Sequence, residues 1–97
     1  MVFVNVVFDD NLHGIDIIGI PDHLASNIHK IFQDFLDWLP PIEDTDYWVF
    51  INGRNVLLKE TNNFIKWLNC NYCDQEAKAI IVETDTTFRP EYISIEF

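Results

Sequence analysis

Two cysteines three apart, Cys70-Asn71-Tyr72-Cys73, form the spacing in this chain closest to redox or metal chemistry. A zinc site needs about four ligands. No second pair of this kind occurs, and His13, His23 and His29 lie far upstream. Redox pairs sit at a helix N-terminus after a strand, where the helix dipole lowers the thiol pKa. This pair follows a helical pattern instead, so both read as ordinary cysteines, with a redox pair or a metal site as the alternatives. The histidines read as surface residues. His23 and His29 are six apart and fall on different sides of a helix, and His13 shares a polar turn with Asp9 and Asp10 that lacks a calcium-loop spacing. Nucleophilic catalysis needs a nucleophile, a base and an orienting group together. Ser26 and Ser94 are the only serines, and neither lies on an elbow-like turn. Asp34 and Asp37 are a carboxylate pair at i, i+3, but hydrolytic work needs one carboxyl in an apolar pocket and the other in water. The expectation is a protein without catalytic residues, metal or cofactor.

The elements that would position these side chains centre on one stretch, Pro21 to Pro41. Leu24, Ile28, Ile31, Phe32, Phe35 and Leu39 recur at spacings of three and four, the period of a helix, and Leu36 and Trp38 widen the stripe. Asp22 stands where an N-cap belongs. Pro40 and Pro41 close the segment, because each lacks an N–H and disfavours helix in the residue before it. Before it, Val2–Phe8 and Ile15–Ile20 read as strands joined through the polar turn Asp9–Gly14. After it, Tyr47–Ile51 and Arg54–Leu58 flank Asn52-Gly53, the pair that supplies the two positive-φ residues of a type I′ turn. A short helix is predicted over Asn63–Leu68, capped by Thr61 or Asn62, with Asn69–Gln75 as a polar break. Lys78–Thr84 and Glu91–Phe97 read as strands, and Ile93, Ile95 and Phe97 of the latter share one face.

The order is therefore β-β-α-β-β-α-β-β, with no linker-like stretch to split residues 1–97. The expected fold is α+β: a single antiparallel sheet with one long and one short helix on one face, in a single domain. Runs such as FVNVVF and WVFI point to partial cover of the second face as well.

Sixteen Asp and Glu oppose six Lys and Arg, for a formal net charge of −10. That charge repels nucleic acid and anionic membranes and attracts basic surfaces, although solubility alone also explains it. Apolar residues make up 48 % of the chain, enough for a packed core rather than a disordered acidic tail. No apolar run reaches the roughly 18 residues of a membrane span, MVFVNVVFDD lacks the features of a signal peptide, and the cytoplasm is the expected compartment. The acids gather in loops and on the outer helix face, with Asp34 and Asp37 on the helix and Glu43, Asp44 and Asp46 directly before Tyr47 and Trp48. Carboxylates beside aromatic rings suit contact with a basic partner, since charge speeds encounter and buried rings hold the complex.

In size, acidity, aromatic richness and compact α+β build the chain resembles the small acidic bacterial immunity proteins that neutralise nuclease toxins of the contact-dependent inhibition and bacteriocin types. The resemblance is one of type and includes no diagnostic string. It implies an inhibitor that is not an enzyme and acts by covering the active site of a basic toxin domain. The contact residues expected from the sequence are Asp34, Asp37, Glu43, Asp44, Asp46, Tyr47 and Trp48. The alternatives are a nucleic-acid mimic of the anti-restriction or anti-CRISPR type, which the interrupting Lys30, Lys59 and Lys66 weigh against, an enzyme or small-molecule binder, and a structural subunit whose aromatics form a homodimer contact. Monomer and homodimer stay open.

Overall fold

The computed structural model describes residues 1–8, 14–39, 47–57 and 60–97. The fold is α+β, with two helices on one face of a four-stranded sheet and a separate two-stranded hairpin. The strands are β1 (Val2–Val7), β2 (Ile15–Ile20), β3 (Trp48–Ile51), β4 (Arg54–Leu57), β5 (Ile80–Thr86) and β6 (Ile93–Glu96), and the helices are α1 (Ile28–Trp38) and α2 (Thr61–Asn71). The main sheet has the order β5-β2-β1-β6.

The single antiparallel sheet expected from the sequence is corrected in two respects. The β3–β4 hairpin forms its own sheet, and β6 lies parallel to β1, with Val4 opposite Ile93 and Val6 opposite Ile95. The β5–β6 link runs from one edge of the sheet to the other. The two edges are three strand spacings apart, about 14 Å, and the six residues 87–92 make the crossing without a helix and end it in a turn in which the Tyr92 N–H bonds the Arg89 carbonyl at 3.0 Å.

What holds the crossing in place is Asn5. Val4 and Val6 face the helices, so Asn5 points to the opposite face, where it is fully buried. Its amide nitrogen donates to the Arg89 carbonyl at 2.8 Å and to Ser94 Oγ at 3.3 Å, and its oxygen accepts from the Arg89 N–H at 3.1 Å. A buried amide is tolerated only when its donors and acceptors are used. Here they are used by the crossing segment, and Ile17, the register partner of Asn5 on β2, is buried as well. Arg89 adds an ion pair to Glu83 at 3.1 Å, and Tyr92 lies against Phe3 with ring centres 5.5 Å apart. This is the partial cover of the second face that FVNVVF implied.

On the helix face, five of the six positions the periodicity named, Leu24, Ile28, Ile31, Phe32 and Phe35, are buried, and the sixth, Leu39, is half-buried against them. They pack with Val4, Val6, Ile18, Ile20 and Ile95 from the sheet and with Phe64, Trp67 and Leu68 from α2. Phe32 meets Phe64 edge-on at 5.1 Å and Phe97 at 5.2 Å, the geometry the ring quadrupoles favour.

Three local expectations change. Asp22 does not cap α1: Pro21 accepts from the Leu24 N–H at 3.0 Å, an i, i+3 bond, and Asp22–Asn27 winds as a 3₁₀ turn before α1 begins. The Asp22 carboxylate instead meets the amino group of Met1 at 2.6 Å. Nor is the second helix short. Both helices have 11 residues, and α2 starts with Glu60 at its N-cap position. The asparagines that read as a break serve the backbone: Asn69 both donates to and accepts from the main chain of Ala79, at 3.0 and 2.8 Å, and Asn71 donates to the Trp67 carbonyl at 2.8 Å. Thr61 is buried and donates to Asp16 Oδ2 at 2.5 Å, which ties α2 to β2. The Asn52-Gly53 turn is as expected, with φ of 51° and 79°.

Replacing Asn5 with Ala should remove the anchor of the crossing and take from the half-buried Arg89 N–H its side-chain acceptor, while the Arg89 carbonyl keeps the Tyr92 N–H, a loss of about 1–3 kcal/mol. Urea unfolding should show a lower midpoint; a midpoint within error of the parent would refute this role.

Candidate functional site

The sequence singled out seven contact residues, and the structure describes four of them. Glu43, Asp44 and Asp46 lie outside the described residues. Asp34 and Asp37 are on the outer side of α1, whose inner side is filled by Ile28, Ile31, Phe32 and Phe35. Asp34 is half-buried and accepts from Lys30 Nζ at 3.4 Å and from Tyr72 Oη at 3.2 Å. Asp37 is exposed and accepts from Gln33 Nε2 at 3.0 Å. Surface pairs of this kind contribute little to stability, so the two carboxylates are available to another molecule.

Tyr47 and Trp48 are half-buried at the root of the β3–β4 hairpin. Tyr47 stands edge-on to Trp38, the last residue of α1, with ring centres 5.7 Å apart. Trp38 in turn lies 6.1 Å from Trp67, and Trp67 lies 5.4 Å from Tyr72. A line of rings thus runs from the hairpin root across α2 to the hydroxyl that holds Asp34. Trp38, which the sequence pattern assigned to the widened core stripe, links the helix that carries Asp34 and Asp37 to Tyr47 at the hairpin root.

Trp38 is 48 % exposed, and the hairpin beyond it is more open still: Phe50 is 69 % exposed, and Ile51 and Val56 are also exposed. None of these was expected at the surface. The signal available in the sequence was the combination of a four-residue apolar run, a two-residue turn and the absence of any acid from residues 47 to 57.

Elsewhere, the residue types that suggested chemistry are dispersed. Among the described residues no three His, Cys, Asp or Glu side chains are grouped so as to hold a metal ion. His29 bonds the main-chain oxygen of Ser94 at 2.8 Å, while the Ser94 hydroxyl is engaged on the other face with Asn5. A shallow, open cleft of about 480 Å³ lies beside the first residues and is lined by Asp22, His23, Glu76 and Lys78, charges of both signs with no single polarity. Cys70 is exposed and Cys73 half-buried, and both are free thiols. Burial pushes the Cys73 thiol above its ordinary range, the Asp74 carboxylate adds to this, and a hydrogen bond with the Ala79 backbone opposes it. Such a thiol is the reverse of an activated one. Among the described residues no helix is long and apolar enough to cross a membrane.

Comparison with protein families, with curated proteins and with solved structures finds no match for this chain.

The raised Cys73 pKa carries a sign. The folded state holds the proton to higher pH than the unfolded chain does, so this contribution is complete below the unfolded thiol pKa and is lost as pH rises through the folded one. Stability should therefore fall above about pH 9, and the fall should be smaller in Cys73→Ser. Urea midpoints at neutral and alkaline pH test this; equal falls in both proteins would contradict it.

Proposed function

We propose that this chain is an acidic protein-binding inhibitor, an immunity protein that neutralises a basic, nuclease-type toxin domain by occluding its active site in the cytoplasm. The observation that carries the reading is that, in a molecule of net charge −10, Asp34 and Asp37 lie on α1 one turn and one residue before Trp38, whose ring meets Tyr47. A toxin domain that binds nucleic acid presents a cationic site, and carboxylates steer it while rings supply the buried anchor. The contact set is Asp34, Asp37, Glu43, Asp44 and Asp46, with Tyr47 and Trp48 as anchors and an interface around 1,600 Å². On this reading the chain has no catalytic residue and needs no cofactor. A phosphate-mimicking row is less favoured, because Lys30 sits 3.4 Å from Asp34 and interrupts it.

Capture from the native host at low and high salt, with a toxin-like reading frame immediately upstream as the first candidate, tests the partner class. Once the partner is in hand, the triple change Glu43→Gln, Asp44→Asn, Asp46→Asn should slow association about tenfold and flatten its salt dependence, while dissociation changes less. Asp34→Asn with Asp37→Asn should act in the same direction. Association rates unchanged in both variants would remove this surface from the contact.

A further inference from the structure

Nine asparagines occur in the chain, and Asn52 alone is followed by glycine. Each of the others precedes a residue whose side chain crowds the next peptide nitrogen. Three of them also have their amides held by the main chain: Asn5 at Arg89, Asn69 at Ala79 and Asn71 at Trp67. Asn52 stands at the tip of the β3–β4 hairpin, where it and Gly53 are both exposed. A Cβ placed on Gly53 would meet no atom within 4 Å beyond its chain neighbours, so the space around the Asn52–Gly53 peptide is open.

The turn holds Asn52 and Gly53 in the left-handed region, with φ of 51° and 79°. Left-handed backbone has ψ near about +47°, which carries the Gly53 nitrogen away from the Asn52 side chain. The closed turn therefore keeps the two groups apart, and they meet only when the last pair, Ile51 opposite Arg54, lets go. Both residues of that pair are exposed. Opening of an exposed hairpin tip takes far less free energy than unfolding of the whole chain.

We propose that Asn52 is a site of spontaneous covalent modification, at which water replaces ammonia and the turn passes into aspartyl and isoaspartyl forms. The deprotonated Gly53 nitrogen attacks Cγ of Asn52. The bond from Cγ to the side-chain amide nitrogen breaks, and that nitrogen takes up the proton that Gly53 released and departs as ammonia. The five-membered imide so formed then adds water. Cleavage between the Gly53 nitrogen and Cγ leaves aspartate, and Asp-Gly suits the same turn. Cleavage between that nitrogen and the main-chain carbonyl of residue 52 leaves the chain running through the side chain. This isoaspartyl link is one atom longer, so the two-residue turn that sets Ile51 opposite Arg54 cannot close again. Either product places a carboxylate among residues 47–57, whose single charge is Arg54. The change lies at the far end of the hairpin from Tyr47 and Trp48. It stands apart from the partner reading, because it is measured on the chain alone.

Incubation of the intact chain at neutral and mildly alkaline pH, followed by mass spectrometry of its peptides, tests the proposal. A gain of one dalton should appear at residue 52 before any other asparagine changes, in two products of equal mass that separate by chromatography. Its rate should rise with pH, because the attacking nitrogen must lose its proton. Asn52→Gly, which keeps residues suited to the turn, should lack this early gain. The same incubation in urea gives the rate of the unfolded chain. The folded chain should react more slowly than that by less than about a thousandfold, since a reaction that waited for global unfolding would be retarded further. A first gain at another asparagine overturns the proposal. So does an early gain that persists in Asn52→Gly, a rate that ignores pH, or a retardation beyond about a thousandfold.

Discussion

One amide group, that of Asn5, decides how this chain closes. It sits in the middle of β1 on the face away from the helices and is fully buried. There it exchanges two hydrogen bonds with the main chain of Arg89. The geometry lays residues 87–92 diagonally across the sheet and delivers β6 beside β1 in the parallel sense. That placement sends the chain past Glu96 to Phe97, whose N–H bonds the Val7 carbonyl at 2.8 Å. The Phe97 ring then stacks on Phe8 and meets Phe32 edge-on. A polar contact on one side of the sheet therefore sets an aromatic contact on the other. An apolar residue at position 5 would leave the crossing segment without its partner, and the two faces would lose their common anchor together.

The aromatic layer so completed does not stop at the core boundary. Phe35 touches Phe64 and Trp67, and Trp67 touches both Trp38 and Tyr72. At the surface end of this line are the Asp34 carboxylate, held by Tyr72, and the hairpin root, held by Trp38 through Tyr47. The candidate surface is thus attached to the best-packed part of the molecule by ring contacts that each contribute about 0.5–1.5 kcal/mol beyond area burial. Carboxylates and rings fixed in this way lose little conformational freedom on binding, which favours affinity.

The parts of this structure that were legible in the sequence are those governed by local rules. The helical stripe from Ile28 to Phe35 is buried as its spacing required, and Asn52-Gly53 makes the turn its chemistry demands. The parts that were not legible depend on partners far away along the chain. Asn5 looks like an interruption of FVNVVF until Arg89, 84 residues later, is known to lie over it. Asn69 and Asn71 look like a helix terminator, yet one binds the main chain of Ala79 and the other the last turn of its own helix. In both cases the polar residue was read by propensity, whereas its position is set by a buried main-chain group that needs a partner. For a contact surface, composition and spacing drew attention to Asp34, Asp37, Tyr47 and Trp48 among the described residues. They gave no warning of the exposure of Phe50, Ile51 and Val56, because an apolar run has the same pattern whether or not another layer covers it.

The charge of the chain ties these observations together through what it forbids. Glu83 and Asp85 lie on β5, the long edge strand of the main sheet, and make it a poor template for another strand. Asp34 and Asp37 lie on the outer helix face, where a second copy of the same molecule would be repelled and a cationic molecule drawn in. The hairpin carries neither kind of carboxylate. On the proposed function, the same excess of acid draws a cationic molecule to the helix face and leaves the acid-free hairpin outside that attraction.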